Sequence, residues 1–386
     1  MKLEFLRAWR SLGAAVLVFL AVAAPGRAAA FIDCPLREEP YSTNTPLTDI
    51  LLKPEAMSVV EQIVPGLHEH LPRQFLSTDT PSFSAIMTLR RVSGYGLITP
   101  DQLRALDAAL RALPITRADR TARCARYDQD KPRFALPDGR PRLLLFEKMT
   151  GFRDGPSVDA ARAAFMAQAA RKNWVIVATD RGGAINPQTL RQFDAVIWNN
   201  VSGDVLTLRE RRALQRYVEH GGGFVGVHGS GGDPIYYWDW YVDTLLGAHF
   251  VGHPLNPQFQ EAQVNIEISP SRIGAELAPG WRMTDEWYSF AQSPRRMGAT
   301  IVATLDEGTY SPIGFGNEPL RMGDHPIAWT RCVGNGRMFY SAIGHLPATY
   351  TEPHYAQLLD EALDWAVGRG PTRCSNGAEI DIRRHR

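Results

Sequence analysis

Charge of one sign is what this sequence lacks: its 386 residues carry 42 lysines and arginines against 41 aspartates and glutamates, a formal net charge of +1 at pH 7. A surface for a polyanion needs a basic surplus, so this balance argues against nucleic acid or an anionic membrane as partner. Cysteine is scarce. The four present, Cys34, Cys124, Cys332 and Cys374, include no Cys-x-x-Cys pair and none at a strand-to-helix elbow, which disfavours a redox motif or a thiol nucleophile. There is no internal repeat and no His-Glu-x-x-His motif to hold a metal compactly. One apolar run, residues 12–24, falls short of the ~20 residues of a membrane helix.

That run reads instead as the core of a secretory signal. Lys2, Arg7 and Arg10 precede it, and Ala28-Ala29-Ala30 follows as a small-residue cleavage site. The expectation is a signal peptide over 1–30, a mature chain beginning near Phe31, export to the periplasm or beyond, and no permanent membrane span. Ile32-Asp33 before Cys34 does not resemble a lipidation site. Four cysteines suit an oxidising compartment and allow three pairings. The order of modules favours Cys34 with Cys124 and Cys332 with Cys374.

Composition is that of an ordinary globular protein, 44% hydrophobic and 22% charged. Residues 31–138 show short helical pieces and no sustained alternation, so they are expected to form a small, mainly helical module. Its clearest helix opens at Thr99-Pro100-Asp101-Gln102 and puts Leu103, Leu106, Ala109, Leu110 and Leu113 on one face. His68 and His70 lie two apart, on different helical faces, and read as surface residues. Residues 128–142, rich in Pro, Asp, Gly and Arg, read as the linker.

The pattern then changes. Strands are expected over 143–146, 174–178 and 195–198, alternating with helices over 158–172, near 187–193, and after the capping box Thr207-Leu208-Arg209-Glu210. Alternation at this spacing means a parallel doubly wound sheet. Beyond it come a helix over 238–246, antiparallel strands over 263–268, 300–305, 327–332 and 337–343, and a final helix over 353–367. Gly334-Asn335-Gly336 marks a hairpin. The fold class is therefore α/β: a mostly parallel sheet over 139–370 with antiparallel C-terminal additions, preceded by the helical module. The tail 371–386 is expected to be disordered apart from a tie through Cys374.

The chain is organised around Gly221-Gly222-Gly223-Phe224-Val225-Gly226-Val227-His228-Gly229, a buried strand between two glycine turns. Ligands of open α/β sheets bind at the carboxyl ends of such strands. An elbow of this form would carry a Ser or Cys nucleophile, and here it carries an imidazole. Further ionisable groups sit beside turns: Lys148-Met149-Thr150-Gly151-Phe152-Arg153-Asp154, Asn199-Asn200-Val201-Ser202-Gly203-Asp204, Thr284-Asp285-Glu286-Trp287-Tyr288, and Gly344-His345.

Residues 142–369 resemble the ThuA-like (trehalose utilisation) family of the class I glutamine amidotransferase-like superfamily. The resemblance rests on Thr150-Gly151-Phe152-Arg153, Ser202-Gly203-Asp204, the elbow, Gly247-Ala248-His249-Phe250 with His253-Pro254, and Asp285-Glu286-Trp287-Tyr288. It continues in Leu305-Asp306-Glu307, His325-Pro326-Ile327-Ala328-Trp329 and Gly336-Arg337-Met338-Phe339-Tyr340 leading to Gly344-His345. It implies a flavodoxin-like core and an association with sugar catabolism, including ketosugar and disaccharide processing. The sequence departs from the family where Gly-Phe-Arg is often followed by His, because Asp154-Gly155-Pro156 stands here. That counts against a mechanism or metal site needing a histidine at that place.

The resulting expectation is an exported carbohydrate-active protein, an enzyme acting as hydrolase, lyase or isomerase on a small-molecule glycoside or oxidised sugar. It is not a glutamine amidotransferase, because the nucleophile is missing. His228 and Glu286 are expected to exchange protons with the substrate, since an unperturbed imidazole titrates near neutral pH. Asp233 and His345 would orient or polarise the substrate, Asp233 alternatively capping a following helix. Adjacent Asp285 and Glu286 must point to opposite sides of an extended segment, so only one can face a cleft. Trp198, Asn199, Trp238, Trp287, Tyr288, Asp285 and Arg153 are the candidate binding residues. The sequence assigns no cofactor with certainty; a divalent metal on some of His228, His253, Glu286 and His345 is a further reading, and a non-catalytic sugar-binding protein is the alternative.

Overall fold

In the computed structural model, which describes residues 32–382, the helical module and the α/β sheet each have a hydrophobic core. The expected signal peptide lies outside the described residues. The module comprises α1 (Leu47–Leu51), α2 (Pro54–Ile63), α3 (Leu67–His70), α4 (Leu89–Ser93), α5 (Pro100–Arg111) and α6 (Arg117–Cys124). Thr99 and Gln102 close a capping box on α5, and Leu106 and Leu110 of that helix are buried against Val60, Leu67, Met87 and Val92. Lys53 bonds Asp119 at 3.0 Å where both are buried, and a disulfide joins Cys34 to Cys124.

Strands β1 (Arg142–Phe146), β2 (Val175–Thr179), β3 (Ala195–Asn199) and β4 (Gly223–Val227) are parallel and alternate with α7 (Gly155–Arg171), α8 (Pro187–Leu190) and α9 (Leu208–Glu219). Residues 143–146 are wholly buried, which is why they read as an unbroken apolar run. Next come β5 (Phe250–Gly252), β6 (Phe259–Ile266), β7 (Gly280–Glu286), β8 (Ser289–Phe290), β9 (Thr300–Leu305), β10 (Pro326–Val333) and β11 (Gly336–Ser341). The large sheet has nine strands in the order β2-β1-β3-β4-β11-β10-β9-β6-β7. It is parallel from β2 through β11 and antiparallel beyond, while β5 pairs with β8 alone. Helix α10 (Pro353–Ala366) closes one face, with Glu352 capping its first amides.

Strand direction positions the site. Because β11 runs with β4, and β10, β9, β6 and β7 then alternate, the ends of β4, β11 and β7 share one sheet edge. Those ends carry His228, His345 and Glu286.

Two expectations are corrected. Residues 371–382 are ordered as a hairpin of β12 (Thr372–Ser375) and β13 (Ala378–Asp381). Asn376 and Gly377 turn it with φ of 49° and 80°, the geometry a two-residue hairpin loop demands, and Cys374 pairs with Cys332 on β10. The segment expected as a helix over 238–246 forms a π-helix over Trp240–Leu246. The disulfide pairing is the one module order favoured. Among the described residues no helix is long and apolar enough to cross a membrane.

Candidate active site

His228 ends β4 with φ of +41°, a left-handed conformation unusual for a residue with a side chain. The turn projects its ring toward the loop after β11, where Nδ1 donates to the Ala342 carbonyl at 2.8 Å. A carbonyl only accepts, so the proton of the neutral ring sits on Nδ1 and Nε2 carries the lone pair. Around Nε2 lie Tyr288 Oη at 2.9 Å, His345 Nδ1 at 3.2 Å and Glu286 Oε2 at 3.4 Å. The Tyr288 ring stacks on the imidazole with centroids 4.3 Å apart. Gly344 is required here: its φ is +137°, and a Cβ would lie 2.4 Å from Tyr350 Oη and 3.2 Å from His228 Cβ.

The adjacent carboxylates at the end of β7 do face opposite ways. Glu286 turns to the histidines, its Oε2 3.0 Å from His345 Nδ1 and its Oε1 3.1 Å from His253 Nδ1, with Gln258 also donating to Oε1. Asp285 turns to the backbone and accepts from Gly344 N at 2.9 Å, His345 N at 3.0 Å and Thr349 Oγ1 at 2.7 Å. It therefore fixes the loop that carries His345. Burial opposes ionisation of Glu286, yet the approach of the His228 ring, the hydrogen bond from His345 and the charge of His253 hold its carboxyl well below the ordinary range. For Asp285 burial prevails and its pKa is raised. Burial also disfavours the charged form of His345, but Glu286 outweighs it and its pKa is raised.

Glu286, Tyr288, His253 and His345 line a cleft of about 590 Å³. His228 is 3% exposed and stands behind them. With Nδ1–H given to Glu286, His345 Nε2 makes no hydrogen bond within the described protein. Glu286 and His345 thus form a carboxylate–imidazole pair whose outer nitrogen is free to meet a ligand.

The other sequence-derived candidates lie elsewhere. Asp233 is buried, accepts from Ser202 Oγ at 2.5 Å and Gly203 N at 2.6 Å, and so ties two loops together; it does not cap the helix that follows, whose N-cap position is Asp239. Burial pushes its carboxyl up to about 7 against those two donors. Trp287 is wholly buried and donates to the Gln260 carbonyl, and Trp198 packs in the core against Phe146 and Phe224. Asn199 is buried on Glu147, Trp238 packs on Tyr241, and Arg153 is exposed outside the cleft lining. What residue patterns did not disclose is the opposite wall: Phe75, Phe83, Met87, Arg91 and Tyr95 of the helical module line the same cleft. No motif marks them, because they come from short helices and loops whose apolar residues read simply as core.

Three donor atoms, His228 Nε2, His345 Nδ1 and Glu286 Oε2, lie within 4.8 Å of one another. His253 stands on the other carboxylate oxygen, outside that trio.

The site is thus defined by a doubly wound α/β sheet with histidines and a carboxylate gathered at its carboxyl edge and an imidazole, His228, at the elbow. The family model described as ThuA, trehalose utilisation, matches residues 142–366, more than half of the 386-residue chain, and the chain belongs to that family. Among solved structures, a ThuA-like protein from Bacteroides uniformis is 23% identical, with 62% of this chain and 97% of that chain covered at a TM-score of 0.51. A ThuA-like protein from Parabacteroides merdae is 17% identical, with 59% and 89% covered at a TM-score of 0.42. The Bacteroides likeness is one of fold. No curated protein matches the sequence.

Proposed function

We propose that the chain is an exported enzyme of glycoside or ketosugar processing in which His345 and Glu286 carry out proton transfer. The observation that carries this reading is the Glu286–His345 pair at 3.0 Å on the wall of the cleft, with the outer imidazole nitrogen unengaged. Such a pair takes a proton from a sugar hydroxyl, or from carbon beside a ketone, while the carboxylate stabilises the imidazolium formed. His228 was the first candidate for the base on sequence grounds. Its burial behind Tyr288 makes it a positioning residue that fixes Glu286 and His345. Membership of a trehalose-utilisation family supports a sugar substrate, and two disulfides support an oxidising compartment.

The test is product formation from a panel of glycosides and their 3-keto derivatives by wild type, His345→Ala and His228→Ala. Turnover should be lost in His345→Ala with the fold intact by circular dichroism. Saturable sugar binding without any product would replace the reading with a non-catalytic sugar-binding protein.

A second reading has its own observation. The three donor atoms are 3.0–3.4 Å apart, close to the separations of three ligands that each lie ~2.0–2.2 Å from one ion. The Nδ1–H bond of His228 to a carbonyl is the outer-sphere contact that orients a ligating imidazole. His228, His345 and Glu286 would hold a divalent cation, which would supply Lewis-acid polarisation of a sugar oxygen. Stoichiometric metal in purified protein, lost in Glu286→Gln, would support this reading, and full activity after chelation would dismiss it.

A further inference from the structure

The cleft is far more apolar than a sugar requires. From His345 an aromatic series runs outward, with Phe152 at 6.0 Å between ring centroids, then Phe83 at 5.0 Å from Phe152, then Phe75 at 5.9 Å from Phe83. On the other bank Tyr95 and Phe315 meet at 5.0 Å. All five are incompletely buried, and Phe315 is 58% exposed. Leu255, also a lining residue, is 38% exposed, and Phe259, 37% exposed, packs edge-on against His345. Large apolar side chains left open to solvent around one concavity mark a binding surface. Three of these aromatics, Phe75, Phe83 and Tyr95, belong to the helical module, outside the family-matched residues 142–366.

The module is held against the sheet by specific bonds, Ser82 N to the Thr150 carbonyl at 3.0 Å and Arg91 to the Val251 carbonyl at 2.7 Å. Those bonds keep the outer wall in register with the polar end. A pyranose would present hydroxyls to the Phe75, Phe83, Met87 and Phe315 side chains of that wall, which offer neither donor nor acceptor to them, and each hydroxyl left unpaired there would cost affinity. A flat apolar group would meet ring faces and edges instead.

We propose that the cleft beyond His345 is a subsite for a planar apolar aglycone, so that the substrate is an aryl or similarly apolar glycoside with its sugar at Glu286 and His345. The proposal rests on the reading of that polar end as a sugar site, and it assigns the helical module the role of selecting the aglycone.

The test is equilibrium binding of methyl and 4-nitrophenyl glucosides, each as both anomers, to the Glu286→Gln protein, with nitrophenolate release by wild type followed separately. The aryl glucoside should bind at least about tenfold more tightly, as expected for an added apolar contact surface. Phe83→Ala and the surface substitution Phe315→Ser, each made in that background, should cut this preference to below about threefold while leaving methyl glucoside affinity within about twofold. Phe315→Ser cannot fail by unfolding a core. Equal affinity for the two glucosides, an unaltered preference in both variants, or no binding of either overturns the subsite. In the last case a dimer that dissociates on Phe315→Ser would assign the patch to a second copy of the chain. Absence of nitrophenolate with the aryl preference intact would instead count against the catalytic reading alone.

Discussion

At the scale of single residues the site turns on two neighbouring carboxylates with opposite duties. Glu286 is held ionised by histidines, so its stabilising interactions are present above its unfolded pKa of 4.5 and are lost as pH falls through its depressed folded value. His345 has the reverse sign: its pairing is fully present below 6.5 and is lost as pH rises through its raised folded value. A base must be unprotonated, so kcat/KM should climb with pH along a limb centred above 6.5, and a limb at or below 6.5 would remove His345 from that role. Replacing Glu286 by Gln keeps the shape and removes the charge, and should lower kcat by roughly 10²–10⁴-fold in steady-state assays. Asp233 provides a test of burial away from the chemistry. Its carboxyl rises from 3.8 to about 7, so the folded state binds a proton the unfolded state releases, and stability falls as pH rises from 3.8 toward 7. Asp233→Asn can keep a bond to Gly203 N and give its amide to Ser202 Oγ. Chemical denaturation should show that decline, on the order of 3 kcal/mol, flattened in the variant, whereas an identical slope would mean that Asp233 is ionised in the fold.

At the scale of elements, the loop after β11 is shaped by a glycine, Gly344, whose place tolerates no side chain. Gly344→Ala would drive a methyl into Tyr350 Oη at 2.4 Å in a backbone region closed to alanine, and should cost about 2–4 kcal/mol in thermal or denaturant unfolding. That loop also shows how far residue patterns reach. Strands β1, β3 and β4 were legible because burial on both faces makes them continuous apolar runs between turns. So were the elbow and the pairing of Asp285 and Glu286 with opposite sides. Strand β7 was not read. Its inward positions are Trp281, Met283 and Asp285, and the carboxylate breaks the apolar alternation because it serves the loop after β11 instead of the core. The burial of Trp287 and Trp198 was equally hidden, since an aromatic beside a motif looks the same whether it faces a ligand or the core. The C-terminal hairpin did carry a signal, Asn376-Gly377, which was outweighed by the polar composition of the tail.

At the scale of the molecule, the site is shared between two cores whose coupling can be loosened on one side. The histidines and Glu286 hang from the large sheet, whereas Phe75, Phe83 and Tyr95 hang from the helical module with its separate apolar cluster. The Cys34–Cys124 disulfide closes a span of 90 residues around that module, and its removal should destabilise the protein by about 2–5 kcal/mol. Cys332–Cys374 lies at the far end of the chain, fastening the C-terminal hairpin to β10. If the module selects an aglycone, then Cys34→Ser with Cys124→Ser should raise KM for an aryl glycoside several-fold at a temperature where the sheet stays folded. It should leave kcat and the KM of a methyl glycoside nearly unchanged, because Asp285 still fixes His345 from within the sheet. Cys332→Ser with Cys374→Ser should lower the melting temperature without that split. Equal loss of kcat for both glycosides on opening the first disulfide would show instead that the module holds up the catalytic edge itself.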